Sequence, residues 1–283
     1  MAHRIRVGAV NYLNTKPLIE GLTDFAPEIA LSLELPSRLA DQMSSGELDI
    51  GLIPVIEYFR AENYSFIPGV SIASRGAVLS VTLFSRVPWP EIRTVALDEG
   101  SRTSAALTQI LLRKRYGITP QIEPLTIDME ADDLTTDAVL LIGDRAMRAC
   151  LPGFEYAYDL GQEWTDWTGL PMVFALWAVR DGVELSQKTA AAFGKAKAFG
   201  LSRAGQIAAR EAPHLGLDSG YCRRYLTNII HYDLGTRELA GLARYYSLAV
   251  ELGLAPPGVS LVCNQSVGNQ NDNNNRPHLI ESR

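Results

Sequence analysis

Residues 5–18 read IRVGAVNYLNTKPL, and this stretch decides how the chain is parsed. Ile5 to Val10 alternates loosely and has no helix-length period, which predicts a short strand. Asn14 and Thr15 suit a helix cap, and Pro17 suits a first helical turn, where its missing N–H costs nothing. The prediction is strand, tight loop, helix start. Such loops gather free backbone donors and a positive dipole end, which suits an anion. Asn14 would add an amide and Lys16 a cation. The same residue types also make an ordinary capped turn, so the local pattern leaves both readings open.

Outward from that loop, Ile29 to Leu35 reads as a strand and Pro36 to Ser45 as a helix with Gly46 as its stop. Leu48 to Ile53 reads as a buried strand, and Pro54 opens a short helix to Ala61. This β-α-β-α alternation predicts a parallel sheet with right-handed crossovers. Ligands of open α/β sheets sit at the carboxyl ends of the strands, where the first loop lies. Asp49, inside an apolar strand, reads as a structural carboxylate. Val78 to Ser85 alternates, with Ser80 either lining a cleft or bonding a neighbouring strand. Pro88 and Pro90 then mark a crossing at residues 85–91 into a second lobe.

In that lobe Thr94 to Leu97 is a strand, and Ser101 starts a helix reaching Tyr116. The run Ser101-Arg102-Thr103-Ser104 puts hydroxyls and backbone N–H groups at one helix start. They can hold a carboxylate or simply cap. Gln121 to Leu125 reads as a strand, Met129 to Leu134 as a helical piece, and Ala138 to Ile142 as a fully buried strand. Asp144 follows at its carboxyl end, as a cap or a functional acid. Trp164 and Trp167 either wall the cleft or pack. Val173 to Val179 returns to the first lobe. Helices follow at Ser186–Phe199, Arg203–Ala212, Ser219–Leu226 and Thr236–Leu252.

Length suits one large or two modest domains. The boundaries expected are 1–87 with 178–257 for the first lobe, 88–177 for the second, and a polar, flexible tail over 258–283. The Asn/Gln-rich run inside that tail cannot bury enough to fold alone. The 26 basic against 32 acidic residues give a net charge of −6. That argues against non-specific nucleic-acid or membrane binding. The three cysteines form no CxxC pair and the four histidines no HExxH, so neither a zinc nor a redox motif is present. With no signal-like apolar segment, the expected location is the cytoplasm.

Five runs taken together resemble a known family. They are NYLNTKPL (11–18), SSGELDIGLIP (44–54), GAVLSVTLFS (76–85), SRTSAAL (101–107), and LIGDRAM (141–147) with WTDWTGLPMVFALW (164–177). The chain is similar to the chorismate dehydratases of the futalosine route to menaquinone, strongly over the first 180 or so residues. The resemblance implies a two-lobed α/β fold of the type II periplasmic-binding-protein kind, with the cleft between lobes. It implies a hydro-lyase that removes water from chorismate to give 3-[(1-carboxyvinyl)oxy]benzoate, with no cofactor and no metal. The site expected on these positions has Asn14 and Asp144 as catalytic groups. Ser80, Ser101, Arg102, Thr103 and Ser104 would bind a small dianionic substrate. The proton acceptor stays open between Asp144 and a substrate carboxylate.

Three other readings compete. One is a non-catalytic binding protein for a small dicarboxylate. Another is the sister enzyme forming 1,4-dihydroxy-6-naphthoate, which uses a histidine base near the strand end that here carries Gly143-Asp144. The third is a regulator's effector domain, against which the absence of a helix-turn-helix before Arg4 counts. Oligomeric state is not legible.

Overall fold

The computed structural model describes residues 4–98, 100–126 and 134–264. β1 (Ile5–Val10) runs through the first sheet with its last four residues buried. It pairs parallel with β2 (Ile29–Glu34) on one side and β3 (Ile50–Pro54) on the other. The connection from β1 to β2 holds two short helices, α1 (Lys16–Ile19) and α2 (Leu22–Phe25). α3 (Pro36–Ser44) connects β2 to β3. Gly8 is what lets α3 lie close: a Cβ there would stand 2.5 Å from the side chains of both Leu39 and Leu48.

Asp49 enters β3 at the end opposite Pro54. It accepts from the Arg6 backbone N–H at 2.8 Å, from the Arg6 guanidinium at 2.7 and 3.1 Å, and from Arg180 at 3.2 Å. Burial pushes its carboxyl up, and these bonds outweigh it, leaving the group at about 2. It is the structural carboxylate that its apolar setting suggested.

α4 (Val55–Arg60) leads to β4 (Ser65–Ser74), a ten-residue strand near one edge of the first sheet. The chain then enters a second sheet through β5 (Val81–Ser85) and β6 (Thr94–Asp98). α5 (Arg102–Ile110) runs on into a π-helical turn, Leu111–Arg115. β7 (Gln121–Leu125), β8 (Ala138–Ile142), α6 (Gly143–Arg148), β9 (Tyr156–Asp159) and α7 (Leu160–Thr168) complete this lobe. β10 (Met172–Val179) returns to the first sheet, antiparallel between β3 and β4. α8 (Gln187–Ser202), α9 (Ala204–Leu215) and α10 (Ser219–Arg224) follow. A π-helical turn, Tyr225–Ile229, then leads to the short β11 (Ile230–His231) and to α11 (Thr236–Glu251). The sheet orders are β11-β4-β10-β3-β1-β2 and β7-β6-β8-β5-β9.

Three expectations change. Both crossings come earlier than residues 87/88 and 177/178. β5 pairs with β8 and β9, so the first crossing lies between Ser74 and Val81. Pro88 and Pro90 merely bracket a 3₁₀ turn at Trp89–Glu91. All of β10 belongs to the first sheet, so the return falls before Met172. The supposed tail is also pinned as far as Asn264. The Tyr58 hydroxyl donates to Ser260 O at 3.2 Å and accepts from Val262 N–H at 3.0 Å. Asn264 N–H donates to Phe66 O at 2.9 Å. The rest of that tail, and residues 129–133 of the expected helical piece, lie outside the described residues. Among the described residues no helix is long and apolar enough to cross a membrane.

Candidate functional site

The carboxyl ends of β1, β3 and β8 converge with the start of β5, the start of α5 and part of β10 around one cavity. Its volume is about 560 Å³, counted out to its mouth. Val10, Leu52, Ile72, Ile142 and Phe174 give it apolar walls, and Tyr12 closes one side. The polar groups are few: Asn14, Ser80, Ser101 and Ser104. Among the described residues no lining residue carries a formal charge.

The polar groups fall into two sets. In the first, the Asn14 Nδ2 donates to the Tyr225 hydroxyl at 3.2 Å, and that hydroxyl donates to Ser80 Oγ at 2.8 Å. Ser80 closes the chain with a long 3.4 Å bond to Val78 O. Leu79 takes φ 61, a left-handed conformation unusual for a leucine. Asp159 holds this bend by accepting from the N–H groups of Val78 and Leu79 at 2.7–3.0 Å. Strand alternation therefore begins only after Ser80, and both Ser80 and Val81 reach the cavity. Burial drives the Tyr225 phenol far above its ordinary value, so it stays protonated.

The second set is the opening of α5. The Ser101 hydroxyl donates to the Ser104 hydroxyl at 2.8 Å and caps no helix N–H. First-turn N–H groups have no partner within their own helix, so a ligand there meets donors and the positive dipole end. α1, by contrast, has only four residues, and neither Asn14 nor Thr15 caps it. The anion-binding logic read into the first loop therefore applies to α5. Lys16 is engaged by Asn11 at 2.7 Å and Glu211 at 3.3 Å and does not line the cavity.

Three expected site residues stand elsewhere. Thr103 Oγ1 accepts from Ile56 N–H at 3.3 Å, while its carbonyl accepts from the Tyr245 hydroxyl at 3.1 Å. It ties the lobes together. Arg102 reaches back over the first lobe to Glu57 at 3.1 Å and Asp41 at 3.0 Å. Asp144 faces a neighbouring cavity with Asn11, Asp98, Arg145 and Arg148, on which Tyr12 also borders. Burial raises its carboxyl, while the Leu13 N–H, at 3.4 Å, opposes the rise. Trp164 donates to Pro171 O at 3.1 Å and packs on Tyr245, so it does not line the cavity. Among the described residues no group of three or more His, Cys, Asp or Glu is arranged to hold a metal.

Tyr225 was not anticipated. It lies some two hundred residues from the loop that it contacts, and no motif surrounds it. The one local trace is geometric: it begins a π-helical turn, a feature common at functional sites.

The family described as menaquinone biosynthesis matches residues 5–251. The chain belongs to that family. A relative, the chorismate dehydratase of Thermus thermophilus, is 33% identical over 239 residues, 78% of this chain and 87% of the relative. Among solved structures, a protein of Archaeoglobus fulgidus superposes with TM-score 0.70 at 19% identity, covering 89% of this chain and 99% of that one. The periplasmic aliphatic sulphonate binding protein SsuA of Escherichia coli gives 0.64 at 18% identity, covering 99% of both. This menaquinone-biosynthesis chain thus has the periplasmic-binding-protein fold, with its two sheets in separate lobes.

Proposed function

We propose that the chain removes water from chorismate to give 3-[(1-carboxyvinyl)oxy]benzoate. One observation carries the reading. Asn14 and Ser80, bridged from behind by the Tyr225 hydroxyl, form one polar wall and the Ser101–Ser104 turn another, around a cavity whose other described lining is mainly apolar and without formal charge. That layout suits a small flat molecule with two carboxylates and a hydroxyl to be lost. The kinship with a chorismate dehydratase supports the choice of molecule.

The chemistry asks little of the protein. The proton lost sits on the ring carbon bearing the ether oxygen, conjugated through a double bond to the ring carboxylate. Its C–H electron pair delocalises onto that carboxylate. The neighbouring C–O bond then breaks, hydroxide leaves with its pair, and the ring becomes aromatic. With the abstracted proton, the departing hydroxide makes water. The protein supplies orientation, dryness and donors for developing charge. Each hydrogen bond to a charged group offers ~1.5–3 kcal/mol. Three or four that tighten in the transition state approach the ~8 kcal/mol of a 10⁶-fold acceleration.

The assignments follow from position. Asn14 holds the leaving hydroxyl. Ser80 and the α5 opening hold carboxylates, with Ser101 and Ser104 donating. Among the described residues no carboxylate or imidazole lines the cavity, which favours the carboxylate on the substrate's own ether side chain as the proton acceptor. Asp144 orients the Leu13 backbone, and Arg102 and Thr103 hold the lobes closed.

A second reading, a carrier of a small dianion without chemistry, draws on the same scarcity of acids and bases. Incubating the purified protein with chorismate and following the ultraviolet spectrum and product mass separates the two. An aromatic product lighter by one water supports the proposal. Chorismate bound but unchanged supports the carrier.

A further inference from the structure

We infer that Tyr225 is the positioning residue of this site: its hydroxyl fixes which way the Asn14 amide faces and so creates the donor that the reaction uses. The inference rests on the reading of the cavity as a dehydratase site.

The argument begins with who donates to whom. Tyr225 has one proton, and it is spent on Ser80 Oγ at 2.8 Å. Toward Asn14, the same oxygen can then only accept, so it faces the amide nitrogen, at 3.2 Å. The amide oxygen turns the other way, where the Thr15 hydroxyl approaches it at 3.5 Å. One Nδ2–H is thereby consumed, and the second is the donor left to a ligand, since no protein acceptor takes it among the described residues. A rotated amide would offer the cavity a lone pair instead, which repels a departing hydroxide. A free amide samples both orientations; a bonded one does not.

Ser80 is set by the same hydroxyl. Having accepted from Tyr225, its own proton makes only the long bond to Val78 O, from which it can swing to a carboxylate. Two ligand contacts are thus prepared by one oxygen that does not itself line the cavity. Complete burial of Tyr225 protects the arrangement from competing water. The π-helical turn at Tyr225–Ile229 shifts the ring register at this point, between α10 and β11.

Tyr225→Phe keeps the ring and removes the oxygen. With chorismate, kcat is expected to fall about 10- to 100-fold while KM stays within about two-fold, because orientation rather than affinity is lost. The control is Tyr232→Phe. Tyr232 is another buried tyrosine, and its hydroxyl has no partner among the described residues. That variant should retain the parent kcat. Ser80→Ala, which removes the acceptor of the Tyr225 proton, should also lower kcat. A Tyr225→Phe variant with parental kcat, or with a loss confined to KM, overturns the inference. The orientation has its own readout. In ¹⁵N-labelled protein the Asn14 side-chain amide pair, assigned by its absence in Asn14→Asp, should shift and broaden in Tyr225→Phe. An unmoved, sharp pair overturns the inference even if the parent fails to turn chorismate over, an outcome that would sink only the dehydratase reading.

Discussion

The Arg102 guanidinium of the second lobe lies 3.1 Å from the Glu57 carboxylate of the first, with Asp41 at 3.0 Å on its other side. Arg102 is therefore a strap between the two lobes rather than a hand inside the cavity. Arg102→Ala should raise the KM for chorismate only about two- to five-fold, the worth of a partly exposed ion pair. Added salt should reproduce the effect in the parent. Direct contact with a substrate carboxylate would cost well over ten-fold. Steady-state kinetics across a salt series decides between them.

Asn14→Ala should lower kcat by about 100-fold or more while costing only ~1 kcal/mol of stability, the value of the bond to Tyr225. The check pairs chorismate turnover with urea unfolding. Parental turnover in a folded variant removes Asn14 from the mechanism.

The half-buried carboxyl of Asp144 is raised, chiefly by desolvation. The folded state thus holds this proton more tightly than the unfolded chain. Its stabilising contribution is complete below the ordinary aspartate value and is lost as pH rises through the folded value. Asp144→Asn, which keeps an acceptor for Leu13 N–H, should raise Tm at neutral pH. The gain should shrink on acidification. Turnover should stay within about three-fold of the parent, whereas loss of a general base costs ~10²–10⁴-fold. Thermal melts from pH 4 to 8 with parallel assays test both halves.

Two glycines of α8 should respond oppositely to alanine. A Cβ on Gly200 would stand 2.1 Å from Pro17 O, in the helix that carries on from the Asn14 loop. Gly200→Ala should cost about 1–3 kcal/mol and weaken turnover as well. Gly194 has nothing within 4 Å of its would-be Cβ. Gly194→Ala should add about 0.5–1 kcal/mol with activity intact. Chemical unfolding of both variants provides the comparison.

Much of this was legible before the coordinates. β1, β2 and β3 with their parallel pairing were visible because buried apolar runs alternate with capped helical stretches. α8 to α11 were visible from period and stop signals. β4 was missed, although it is the longest strand of its sheet. Pro68 and Gly69 interrupt its pattern, and only the register shifts against β10 make room for them. β9 and α7 hid in a stretch rich in Gly and aromatic residues. In the site, Asn14, Ser80, Ser101 and Ser104 could be read because each lies at a strand or helix end, where ligands gather. Arg102 and Thr103 share that helix start but point out of the cavity, because adjacent residues on a helix face different directions. Tyr225 depends on a contact spanning more than two hundred positions, which local pattern cannot encode.

The pair of hydrogen bonds that Tyr58 makes with Ser260 and Val262 has a practical corollary for anyone trimming this polypeptide. Cutting at residue 257, where composition invites it, would strip a buried phenol of both partners and uncover the flank of β4 beside Phe66. Cutting after Asn264 would leave that seam whole.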